Sequence, residues 1–116
     1  MNHKYSLKKN HDIEKLIKLR QSVGNKYYAI YYSSSKNPLA QIALSPTKRF
    51  KTAVERNYEK RVLREILREQ LDDLAFYKML IVVKITAKEL SFVQKKEQID
   101  LLLNKIKKQN ITEEKK

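Results

Sequence analysis

The sequence predicts an α+β domain in which one small sheet carries two long helices on the same face, with a short helix at the start of the chain. Three observations lead there. Two long segments, Ala53 to Ala75 and the stretch after Ser91, repeat their apolar residues at helical spacing. Three shorter segments rich in Tyr, Ile, Val and Leu read as strands. The order is helix, strand, strand, long basic helix, strand, helix, and each long helix needs a sheet face on which to bury its apolar side.

Residues 1–9 are basic and polar and read as an extended arm. Asn10 is placed to cap a short helix whose Ile13, Leu16 and Ile17 line one face, and Gly24, the only glycine, suits its stop. Tyr27 to Tyr32 reads as a strand, with Tyr28, Ile30 and Tyr32 on one face and Tyr27, Ala29 and Tyr31 on the other. Ser33 to Pro38 is a polar turn of hairpin length. Leu39 to Ser45 follows as a second strand, with Ile42 and Leu44 on one face, ended by Pro46.

Thr52 and Glu55 have the spacing of a capping box, so the basic helix starts at about Ala53. Met79 to Ile85 reads as a strand buried on both sides, with Lys84 its one cation. Ser91 and Gln94 form a second capping box. The helix behind them carries Ile99, Leu102, Leu103 and Ile106 at i, i+3, i+4, i+7. From about residue 107 to 116 the chain is a polar tail expected to fray. No repeat or linker divides the chain, so residues 1–116 read as one domain. The sheet face away from the long helices is expected to place Tyr27, Tyr31 and Lys84 beside the first helix, an aromatic and cationic trough suited to single-stranded nucleic acid. Packing of those tyrosines under the first helix accounts for the same pattern.

The chain has 26 Lys and Arg against 13 Asp and Glu, a net charge of +13, which is a strong footprint for a polyanion. The absence of Cys excludes a disulfide scaffold, a thiolate metal site and a catalytic thiol. His3 and His11, eight residues apart, have no partner at metal-ligand spacing. No run approaches the roughly 18 apolar residues of a spanning helix, and the first residues lack a cleavable signal pattern. The chain is therefore expected in the cytoplasm, with no membrane association and no metal held by the protein itself.

The densest cationic run is the basic helix. At roughly 100° per residue, Lys60, Arg64, Asn57, Arg68 and Arg61 fall within an arc of about 100°. Val62, Ile66, Leu63, Leu74 and Leu67 occupy a separate arc of about 140°. Glu65 and Glu69 sit at the stripe's edge and Glu59 lies over the other face. Like charges at i, i+4, such as Lys60 with Arg64, cost a few tenths of a kcal/mol per pair. A partner with negative charge removes that cost. A solvated face, the commoner fate of charged helix surfaces, does not.

Ala53-Val54-Glu55-Arg56-Asn57-Tyr58-Glu59-Lys60-Arg61-Val62-Leu63-Arg64-Glu65, preceded by Ser45, Lys48 and Arg49, resembles the signature of the bacterial ribonuclease P protein family. That signature is Ala-Val-x-Arg-Asn-Arg-x-Lys-Arg-x-x-Arg, and all but one fixed position match. The likeness extends to Leu7-Lys8-Lys9-Asn10, the Tyr-rich strand, the apolar last strand and Leu90-Ser91-Phe92. It implies a left-handed βαβ crossover through the basic helix, as in the second domain of a small-subunit ribosomal protein. It also implies a protein subunit of an RNA-based endonuclease that removes the 5′ leader of precursor tRNA in a Mg²⁺-dependent reaction performed by the catalytic RNA. The implied partners are that RNA and precursor tRNA, with no protein partner required.

Carried over by position, the RNA-binding surface is Lys48, Arg49, Arg56, Asn57, Lys60, Arg61, Arg64 and Arg68, and the leader-binding trough is Ile13, Ile17, Tyr31 and Lys84. Tyr58 stands where the family has Arg, Lys51 where it usually has Gly, and Ile13 and Ile17 where it commonly has Phe. The chain itself places no base beside a nucleophile. Composition alone leaves open a structural RNA-binding protein, such as a small ribosomal protein. Helix-turn-helix DNA binding lacks a second helix near enough in sequence.

Overall fold

The computed structural model describes the backbone of residues 10–114 and the side chains of residues 13–108. The expected basic arm and the side-chain cap at Asn10 lie outside the described residues. The elements are α1 (Asn10–Lys18), β1 (Ser22–Gly24), β2 (Tyr28–Ser34), β3 (Gln41–Pro46), α2 (Ala53–Arg68), β4 (Tyr77–Val83) and α3 (Phe92–Glu114). Short 3-10 turns at Asp72–Leu74 and Ile85–Glu89 flank β4.

The four strands are ordered β1-β2-β4-β3. β2 is antiparallel to β1 and β4, with Tyr31 opposite Leu80, whereas β3 is parallel to β4, with Leu44 opposite Ile81. The expected β2–β3 hairpin is therefore not formed: β4 is inserted between the two strands. Its sequence explains the placement. Met79, Leu80, Ile81 and Val83 are all buried, so β4 needs cover on both faces and takes a central position. β3, which closes on Pro46 and so lacks a donor there, takes the edge.

One sheet face meets both long helices, as the sequence predicts. α2 lies over β3, and α3 over β1 and β2. Tyr28, Ile30, Ile42, Met79, Ile81 and Val83 from the sheet close on Val62, Leu63, Ile66 and Leu67 of α2 and on Ile99, Leu102, Leu103 and Ile106 of α3. At about 25 cal/mol per Å² of apolar surface, each such fully buried side chain contributes about 1.5–3 kcal/mol. The opposite face is covered by α1, where Leu16 meets Leu80 with Ile13, Tyr31, Ala43 and Val82 around them.

Local signals set the helix starts. The Thr52 hydroxyl accepts from the Glu55 N–H at 3.1 Å, while the Glu55 carboxylate turns to Lys88 Nζ at 3.3 Å, so only half of that capping box closes. The second closes reciprocally: Ser91 N–H donates to Gln94 Oε1 at 2.9 Å, and Gln94 N–H to Ser91 Oγ at 3.3 Å.

Three expectations are corrected. α2 ends at Arg68, not Ala75: Gln70 N–H donates to the Leu67 carbonyl at 2.8 Å, and its amide reaches Asp100 Oδ1 at 2.7 Å. Leu71 and Leu74 stay buried, which is why their spacing imitated more helix. The first helix stops at Lys18, and its left-handed residue is Arg20 (φ 55), not Gly24. Gly24 belongs to β1, where an added Cβ would stand 3.2 Å from the Tyr28 carbonyl, so close approach of backbone selects it. Tyr27 precedes β2 and packs on the main core, because Asn25 Oδ1 accepts from the N–H groups of Tyr27 and Tyr28 and turns the chain there. The helical backbone of α3 continues to Glu114.

Candidate nucleic-acid interface

The two arcs of α2 separate in space as they do on the helical projection. Val62, Leu63, Ile66 and Leu67 are buried, whereas Asn57, Arg61, Arg64 and Arg68 are exposed and Lys60 is half-buried. Arg56 falls between Leu63 and Leu67 on the projection and is half-buried as well. Lys48 and Arg49 are exposed on the loop that leads into α2. Arg68 pairs with Glu65 at 3.4 Å on the surface, a contact of little energetic weight. Among the described residues, Arg56, Lys60, Arg61 and Arg64 have no acid partner.

Glu59, by contrast, is buried with Lys95 of α3. Lys95 Nζ lies 2.9 and 3.0 Å from its two carboxylate oxygens. The sequence placed Glu59 off the stripe without naming this partner, 36 residues away. The pair removes the one acid in the middle of α2 from the surface, so the stripe's positive potential is not offset from below.

The four trough residues do not form one site. Ile13 and Tyr31 pack around Leu16 and Leu80 on the α1 face, while Ile17 points into solvent from the same helix. Lys84 lies just past the end of β4, its ammonium donating to the Asn25 carbonyl at 2.6 Å. There it lines a separate groove with Lys26, Thr47, Arg49, Ile85 and Thr86. The structure thus brings Lys84 into one groove with Arg49, a residue of the expected RNA-binding set, and with Lys26, whose ammonium stands 5.1 Å from the centroid of the Tyr27 ring. Along the α1 edge a second groove is lined by Lys15, Leu16, Leu19, Ser33 and Lys78. Lys78 was missed because the strand was expected to begin at Met79. Period-2 alternation back from Leu80 places it on the α1 face.

Among the described residues no group of three or more His, Cys, Asp or Glu is placed to hold a metal ion, and no helix is long and apolar enough to cross a membrane. What the surface offers is exposed guanidinium and ammonium groups on a rigid helix, a geometry for phosphate oxygens.

The family model described as Ribonuclease P matches residues 1–107. The chain belongs to the ribonuclease P protein family. The ribonuclease P protein component of Acholeplasma laidlawii is 36% identical over 104 residues, covering 89% of this chain and 90% of its own. That of Phytoplasma australiense is 40% identical over 99 residues, covering 83% and 85%. Among solved structures, the RNase P protein of Staphylococcus aureus superposes with a TM-score of 0.82 at 25% identity, over 89% of this chain and 95% of that one. The RNase P protein of Thermotoga maritima, at 19% identity and a TM-score of 0.74, supports the fold alone. The ribosomal-protein reading gives way to the family match. As a ribonuclease P protein, the chain is the protein component of a ribonucleoprotein and has the ribonuclease P RNA as its partner.

Proposed function

We propose that the chain binds the catalytic RNA through Lys48, Arg49 and the exposed stripe of α2, and holds the 5′ leader of precursor tRNA along the α1 face and the Lys84 groove, in the cytoplasm. The observation that carries this reading is the stripe itself: Lys60, Arg61 and Arg64 without an acid partner among the described residues, on a helix whose other side is core. Mg²⁺, held by the partner RNA, supplies the metal-assisted hydrolysis. The protein neutralises phosphates and positions the substrate. Five or six neutralised phosphates give a slope of log K against log salt of about −4 to −5.

Reconstitution tests the reading. Added to the catalytic RNA, the purified chain is expected to lower the Mg²⁺ and salt needed to process precursor tRNA, and to favour precursor over mature tRNA. Shortening the leader to one or two nucleotides is expected to remove that preference. Cleavage unchanged across a magnesium titration would refute the reading.

A further inference from the structure

Tyr58 is the one fixed position at which this chain departs from the family signature, and its surroundings are specific. On the helical projection it lies at the edge of the apolar arc, between that arc and the cationic stripe, about 40° from Val62, about 60° from Arg61 and about 40° from Val54. It is 57% exposed, and Val54 one turn before it is exposed as well. Beneath it, Lys95 Nζ stands 5.1 Å from the ring centroid. That ammonium is itself buried and held by both carboxylate oxygens of Glu59. The ring is therefore seated on an immobilised cation, a favourable pairing with the π face, while more than half of the residue stays open to solvent. A groove lined by Phe50, Val54, Glu55, Tyr58, Glu59 and Lys88 runs beside it.

An exposed, oriented ring at the margin of a phosphate-binding surface has the geometry of a stacking platform. A second copy of this chain is a poor occupant, because each copy carries +13. RNA brings a flat apolar base for the ring and phosphates for the neighbouring Arg61, one turn on, and the stripe beyond it. We propose that Tyr58 stacks on an unpaired nucleobase of the catalytic RNA and so extends the interface beyond phosphate contacts. The proposal rests on the reading of α2 as the RNA-binding face.

The test uses the reconstituted complex of full-length chain and catalytic RNA. Tyr58→Leu, apolar but without a π face, is expected to weaken binding about 5- to 150-fold, the range of base–aromatic stacking. Its slope of log K against log salt stays unchanged, since stacking releases no counterions. Arg61→Ala instead reduces the slope by about 1. Tyr58→Trp introduces the only tryptophan of the chain and keeps a ring over Lys95, so it reports even where Tyr58→Leu fails to fold. Its emission is expected to be quenched on adding the catalytic RNA alone. Wild-type affinity for Tyr58→Leu, or unchanged tryptophan emission, overturns the platform while leaving the function of α2 standing. Quenching only when precursor tRNA joins the complex overturns the assignment to the catalytic RNA and transfers the base to the substrate. If the wild-type chain and Arg61→Ala bind the RNA equally weakly, with no salt dependence, the reading of α2 falls, and the platform with it.

Discussion

Lys95 Nζ lies within 3.0 Å of both carboxylate oxygens of Glu59, with 2% and 3% of the two residues exposed, and so joins α3 to α2 under the cationic stripe. Breaking such a pair strands one charge in the core, whereas replacing both partners with apolar residues does not. Lys95→Met is expected to cost about 3–5 kcal/mol, and the double change Glu59→Met with Lys95→Met to recover most of it. Urea unfolding of the single and double variants measures this. A single variant within about 1 kcal/mol of wild type would mean that water reaches the pair.

Arg64 and Leu67 lie three residues apart on opposite arcs of α2. Arg64→Ala is expected to weaken binding to the catalytic RNA and flatten its salt dependence, with helical circular dichroism unchanged, because Arg64 is exposed and has no acid partner among the described residues. Leu67 is fully buried, so Leu67→Ala is expected to cost about 2–5 kcal/mol of stability. Loss of helical signal in Arg64→Ala would make that residue structural.

Tyr31 shares the α1 face with Ile13, Leu16 and Leu80 and is only half-buried. Tyr31→Ala is expected to lower the preference of the holoenzyme for precursor over mature tRNA while leaving affinity for the catalytic RNA near wild type. Competitive cleavage of the two tRNAs reads the ratio. An unchanged ratio would return Tyr31 to a purely packing role.

The Tyr28 hydroxyl is buried and, among the described residues, has no hydrogen-bond partner. Burial pushes its ionisation well above the ordinary tyrosine range, and the Glu59 carboxylate adds to the effect. The folded state thus keeps this proton while the unfolded chain loses it above about pH 10, so its contribution is fully present below that pH and is lost as pH rises. Tyr28→Phe is expected to unfold at equal or higher denaturant at pH 8, by about 1 kcal/mol, because it removes an unpaired buried hydroxyl. The gap over wild type is expected to widen above pH 10. A variant that loses stability at pH 8 would show that the hydroxyl has a water partner.

What the sequence determined by itself is local. The two arcs of α2, its start at Thr52 and the reciprocal Ser91–Gln94 cap depend on residues within a few positions of one another, and helical periodicity reads them directly. The order of residues along α2 was also enough to point to the family, since that pattern is contiguous. Only the tertiary structure decided which strand sits in the centre, that Glu59 would find Lys95, that Tyr27 turns to the main core, and that Lys26, Arg49 and Lys84 share a groove. Those are contacts between residues far apart in the chain. They are set by which surfaces must be covered from both sides and which charges must be paired when water is excluded, and no local spacing encodes them.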